Sequence, residues 1–153
     1  MLKHKHNHDE CIENALKAAE DICTERDTRF TPLRRRVLEL VWTKHAPITA
    51  YEVLDLLSEG QKRVAPPTVY RALDFLIEEG FVHRIESLNS FVGCSDPKHR
   101  HQGHFLICRK CSNVSEMNEQ SLHDVIKKAA QSFGYSYENS ILEIAGICEN
   151  CRK

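Results

Sequence analysis

A chain of 153 residues, 41% of them hydrophobic, can bury one ordinary core, or two small ones if something besides burial helps to hold the second. Its longest apolar runs are only a few residues and it begins Met-Leu-Lys-His-Lys-His-Asn-His, so neither a signal peptide nor a membrane span is expected, and a cytosolic protein is. A formal net charge of -1 excludes the overall basic excess usual in nucleic-acid binders, so any DNA reading must rest on where individual charges sit.

Taken from the N-terminus, His4, His6, His8 and Cys11 belong to a polar start read as a disordered tail over residues 1–10, with weak metal scavenging as the alternative. Ile12, Leu16, Ala19 and Ile22 or Cys23 then recur at helical spacing and predict one amphipathic helix over about 10–26. Thr31-Pro32 places a capping hydroxyl before a proline at a first helical position, and Leu33, Val37, Leu40 and Val41 form the stripe of a second helix that ends before Pro47. Thr49-Ala-Tyr-Glu52 matches a capping box, and Val53, Leu54, Leu56 and Leu57 continue a third helix to near Gly60.

Pro66-Pro67-Thr68 opens a fourth helix, with Val69, Leu73, Leu76 and Ile77 on one side and Thr68, Arg71, Asp74 and Glu78 on the other. Gly80 ends it. Residues 81–86 and 89–94 read as two short strands around Ser87-Leu88, so three helices followed by a hairpin make a winged helix-turn-helix. From Asp96 the composition turns to His, Cys and polar residues. The expected organisation is α+β: a winged-helix domain over 1–95, a linker over 96–103, and a small α/β dimerisation domain over 104–153. In the last, strands are expected over 104–108 and 113–117, a helix over 119–133 closed by Gly134, and a final strand around 137–147.

That small unit is uncomfortable on hydrophobic burial alone. Seven cysteines in a reducing compartment point to metal ligation rather than disulfides, since an odd number cannot all pair. Cys108-Arg-Lys-Cys111 and Cys148-Glu-Asn-Cys151 have the spacing that turns two thiolates toward one ion, and four thiolates make a closed tetrahedral zinc site. One pair links the first two strands and the other ends the chain, so a structural zinc would tie the C-terminus to the sheet. Redox Cys-x-x-Cys motifs normally come singly, at a helix start.

Basic side chains concentrate between Arg34 and Arg84, as Arg34, Arg35, Arg36, Lys62, Arg63, Arg71 and Arg84, but acidic ones accompany them. The informative feature is Pro66-Pro-Thr-Val-Tyr-Arg71, a helix start whose unpaired amides and positive dipole end can meet a phosphate. Arg71 lies where a recognition helix enters the major groove and can reach guanine O6 and N7. Tyr70 suits a phosphate or thymine-methyl contact, and Thr68 and Arg36 complete the candidate DNA contacts. A surface arginine paired to Asp74 or Glu78 is the alternative for Arg71.

These residues resemble the ferric uptake regulator family, and most closely its zinc uptake regulator branch. The resemblance is carried by Thr31-Pro-Leu-Arg-Arg-Arg-Val37, Pro66-Pro-Thr-Val-Tyr-Arg-Ala-Leu-Asp-Phe-Leu76, Glu79-Gly-Phe-Val-His83, Phe105-Leu-Ile-Cys108 and both cysteine pairs, and spans roughly residues 18–151. It implies a homodimeric, non-enzymatic repressor that binds double-stranded operator DNA of zinc-uptake genes when zinc is loaded, without a small-molecule substrate. It also implies a second, regulatory zinc, giving two per chain, with His83, Cys94, His101 and Glu116 as ligands by position. His83 and Cys94 belong to the wing, His101 to the linker and Glu116 to the small domain, so one ion would clamp reader to dimeriser. A thiolate among imidazoles favours zinc over iron or manganese. A sensor of iron, manganese or peroxide on the same scaffold is the rival reading. Many relatives carry a denser histidine and aspartate cluster where this chain has only His101-Gln-Gly-His104, which leaves open a further site at His104 and His123.

Overall fold

The computed structural model describes residues 7–44, 46–59 and 63–153 and divides into two compact units that part between Arg100 and His101. In the first, α1 (His8–Glu25) starts inside the segment expected to be a tail. Asp9 and Glu10 stand in its first turn, where carboxylates complement the positive end of the helix dipole and extend the helix. His4 and His6 lie outside the described residues. Leu16, Ala19, Ile22 and Cys23 face the core as their spacing predicts.

α2 (Pro32–Thr43) is started by Thr31, whose Oγ1 accepts from the Arg34 amide at 3.3 Å. Its buried face is Val37, Leu38, Leu40 and Val41, with Leu33 only half-buried. α3 (Ala50–Ser58) carries the capping box in full. The Glu52 amide donates to Thr49 Oγ1 at 3.1 Å, and the Thr49 amide to the Glu52 carboxylate at 2.7 Å. Gly60 and Lys62 lie outside the described residues. α4 (Pro66–Glu78) begins on the two prolines and buries Val69, Ala72, Leu73 and Leu76. It stops at Gly80, whose φ of +83° only glycine adopts without strain, and the Phe81 amide then closes back on the Leu76 carbonyl at 2.8 Å.

β1 (Val82–Ile85) and β2 (Ser90–Gly93) pair antiparallel from Val82 opposite Gly93 to Ile85 opposite Ser90. They are joined by a 3-10 turn, Glu86–Leu88, and by Asn89 in the left-handed region. Ile48 adds a third edge that the sequence did not suggest. Its amide and carbonyl exchange hydrogen bonds with Phe91 at 3.0 and 2.8 Å, which anchors the wing to the connection between α2 and α3. The unit closes with Phe30 edge-on to Phe81 at 6.3 Å and with Arg26 bonded to the Glu79 carboxylate at 2.9 Å, tying the end of α1 to the end of α4.

The second unit is a three-stranded sheet in the order β4-β3-β5. β3 (His104–Cys108) pairs antiparallel with β4 (Val114–Glu116) and parallel with β5 (Leu142–Gly146), and α5 (Gln120–Ser132) makes the crossover. β5 is shorter than the strand expected over 137–147: the Ser140 amide donates to Gln102 Oε1 at 3.0 Å instead of to a ladder carbonyl. A short helix, α6 (Glu149–Arg152), carries the last cysteine and was not expected. No described helix is long and apolar enough to cross a membrane.

Candidate metal centres and the DNA-reading helix

Cys108 ends β3, Cys111 sits in the turn to β4, Cys148 caps α6 and Cys151 lies within it. The parallel pairing of β3 with β5 brings both turns to one end of the sheet, and all four sulfurs lie within 4.8 Å of one another. Cys111 and Cys148 are 3.8 Å apart at Sγ. A regular tetrahedron with Zn–S near 2.3 Å requires edges of about 3.8 Å, so this edge already has the length a zinc ion needs and the other sulfurs lie close to it. Its electrostatics are those of a site built for a cation. Amides of Cys148 and Cys111 point at the Cys108 sulfur and lower its pKa to about 6, the former at 3.3 Å, while hydrogen bonds donated by the Cys151 thiol to Cys148 and Cys111 push Cys151 up to about 12. Four adjacent thiols cannot all ionise by themselves, whereas an ion among them would hold every one as thiolate.

The other predicted ligands fall in two pairs, one in each unit. In the first, the wing register places His83 opposite Val92 and Cys94 just past the Val82–Gly93 pair, so His83 and Cys94 share one face of the hairpin. The Cys94 sulfur is buried within 4.8 Å of an imidazole nitrogen of His83, and the Cys94 amide donates to the Phe81 carbonyl at 2.9 Å. In the second, Glu116 lies opposite Phe105 on β4, and its carboxylate accepts from Nε2–H of His101 just ahead of β3. Both side chains are only 14% exposed. A soft thiolate with imidazoles and a carboxylate is a donor set suited to zinc.

His104 and His123 stand apart from these sets. His104 is buried and donates through Nε2–H to Ser140 Oγ at 2.8 Å, which in turn donates to Gln102 at 2.9 Å. Burial first, then nearby His123, lowers the His104 pKa and keeps the ring neutral. His123 packs edge-on to Tyr137 at 5.4 Å. Among the described residues, neither belongs to a cluster of three or more metal donors.

Besides Arg26, four arginines of the first unit are engaged. Arg34 stacks on the Phe75 ring at 3.7 Å, Arg35 pairs with Glu20, Arg36 pairs with Glu39 at 2.8 Å and Arg84 with Glu86 at 3.4 Å. Arg71 is different: it is exposed on the second turn of α4, and among the described residues no ion pair reaches it. Tyr70 beside it is half exposed. Thr68 is half-buried in the first turn. Tyr51, three-quarters exposed in the first turn of α3, is a second outward aromatic that sequence periodicity missed. Only its place on the polar face of a capped helix could have marked it.

Residues 25–145 match the ferric uptake regulator family model. The chain is 41% identical over 137 residues to the zinc uptake regulation protein of Escherichia coli K12, covering 89% of this chain and 80% of that one. Its fold superposes on a solved zinc uptake regulator complexed with zinc and DNA with a TM-score of 0.86, at 39% identity and 97% coverage of each chain. A crystal structure of holo XcZur gives 0.83 at 40% identity, covering 90% of this chain and 96% of that one.

Proposed function

The chain belongs to the ferric uptake regulator family, and from that premise we propose that it is a cytoplasmic, zinc-responsive repressor that binds operator DNA of zinc-uptake genes as a homodimer. As a member of a family of transcription regulators it is not an enzyme. The observation that carries the zinc reading is the buried Cys94 thiol beside His83 on one face of the wing. A thiolate there is softer than an all-oxygen-and-nitrogen set and selects zinc from the harder divalent ions. The four-thiolate cluster takes a structural zinc.

His83 and Cys94 of the reader, with His101 and Glu116 of the second unit, are the ligands of the regulatory zinc. When bound at either site, zinc would supply the positive charge that holds the thiols of Cys94 or of the four-cysteine cluster deprotonated. Two donors from each unit make the wing and the second unit ligands of a single site, so the DNA-competent arrangement is favoured by whatever affinity difference those four residues express. Such couplings are typically about 1–3 kcal/mol and are reciprocal, so operator DNA tightens zinc binding by the same factor. Arg71, Tyr70 and Thr68 at the start of α4 contact the duplex, Arg71 by base edge and the others by phosphate or methyl. Arg36, paired to Glu39 on α2, adds at most a backbone contact.

Dimerisation is supported by the second unit's own surface. α5 buries none of its residues within one chain and is strongly amphipathic, while Val125, Ile141 and Ile144 stand 63%, 69% and 41% exposed. Apolar exposure on this scale marks an association surface.

The test is operator gel-shift with and without chelator, alongside zinc counted per chain. Two zinc ions per chain and chelator-sensitive binding are expected for the natural protein. Cys94→Ala should keep one zinc and lose zinc-dependent binding. Operator binding by Cys94→Ala that still follows zinc would contradict the ligand assignment, and a response to iron, manganese or peroxide instead would replace the zinc reading.

A further inference from the structure

Trp42, the single tryptophan of the chain, lies near the C-terminal end of α2 and packs against the core of the first unit. Its indole rests on Gly93, the last residue of β2. A β-carbon at position 93 would overlap the Cε2, Nε1 and Cζ2 atoms of the ring, so any side chain there must displace either the indole or the strand. Gly93 immediately precedes Cys94, and its cross-strand partner Val82 immediately precedes His83. The ring therefore sits on the backbone that places both wing ligands. Trp42 and Cys94 also line one cavity of about 250 Å³, together with Leu38 and Phe81. α2 packs on β2 and on α4, the reader.

We propose that Trp42 is a positioning residue for the regulatory zinc: seated on Gly93, it fixes the Cys94 end of β2 against α2 and passes a change at Cys94 to the helix that supports α4. This rests on the assignment of His83 and Cys94 as zinc ligands. An indole is large and turns about only two side-chain torsions, so it serves as a stiff spacer where a flexible side chain would absorb the movement. Glycine at position 93 is the complement of that spacer, because only a bare backbone lets the ring approach so closely.

The experiment uses the full-length protein holding only its four-thiolate zinc. A second ion is titrated in while Trp42 emission is followed, and its affinity is measured independently by competition with a chromophoric chelator. Emission of the natural protein is expected to change in step with the second ion, and to stay flat in Cys94→Ala, which takes none. Gly93→Ala should weaken the second ion by about 10- to 100-fold, the range found for groups that orient metal ligands, with the first zinc retained. Trp42→Ala, which removes the spacer and leaves the wing unchanged, should weaken the second ion by a similar factor, whereas Trp42→Phe, which keeps a stiff ring over Gly93, should recover most of that loss, a reversal that general destabilisation does not produce.

Constant emission through saturation, undiminished affinity in Gly93→Ala or in Trp42→Ala, or no recovery in Trp42→Phe would each overturn the proposal. Should Gly93→Ala fail to fold, the natural protein's emission and the two Trp42 variants decide. Tight binding of the second ion by Cys94→Ala would sink the ligand assignment instead, and is read separately from the role of Trp42.

Discussion

Arg71 differs from Arg34, Arg35, Arg36 and Arg84 in what its neighbours have already taken. Arg34, Arg35, Arg36 and Arg84 are held by a ring or a carboxylate, whereas Arg71 faces solvent from α4. Arg71→Ala is therefore expected to weaken operator binding and lower discrimination at one base pair by about 1–3 kcal/mol. The thermal melt should not move. Equal losses on operator and random duplex would show that Arg71 meets only phosphate. The cysteines behave in the opposite way. Cys151→Ser is expected to release the structural zinc and unfold the second unit, since structural zinc contributes about 10–16 kcal/mol, as much as the whole stability margin of an ordinary domain. Circular dichroism with zinc counted per chain checks this, and a folded second unit without its zinc would refute it.

At the level of the element, α3 depends on two side chains that complete each other. Thr49→Ala leaves the Glu52 amide without its acceptor and should cost about 1 kcal/mol in denaturant unfolding. Glu52 adds a pH signature. Hydrogen bonds from the Thr49 amide, then from the Thr49 hydroxyl, lower its pKa below the ordinary 4.5. A lowered carboxylate stabilises the fold fully above its unfolded value and loses that contribution as pH falls through the lower folded value. The stability gap between the natural protein and Glu52→Gln should therefore be constant near neutrality and close below about pH 4.5. A gap that widens on acidification would mean that Glu52 is not the cap. Exposure of the pair keeps the effect modest.

For the whole molecule, the second unit has two deficits and two remedies. It is too small for a generous core, and the thiolate cluster ties its C-terminus to its first strand. It also leaves apolar side chains of α5 and the sheet in water, which a second copy would cover. Val125→Asp, at an exposed position of α5, is expected to shift the protein toward monomer in sedimentation and to weaken operator binding most at low protein concentration. An unchanged dimer would place the association surface elsewhere.

Much of this was legible along the chain. Thr31, Thr49, the Pro66–Pro67 pair and Gly80 mark helix ends because caps and φ preferences act within one turn, and both Cys-x-x-Cys pairs announce a metal because their geometry is local. The four thiols needed only one fact from the fold, the parallel pairing of β3 with β5, to become a cluster. By contrast, the Ile48–Phe91 bridge, the short β5, the exposure of Arg71 and the seat of Trp42 on Gly93 depend on partners distant in sequence. No periodicity records such pairs. They are settled by which hydrogen-bonding edges remain open and which side chains must share space once the core has packed, and that competition exists only in the folded chain.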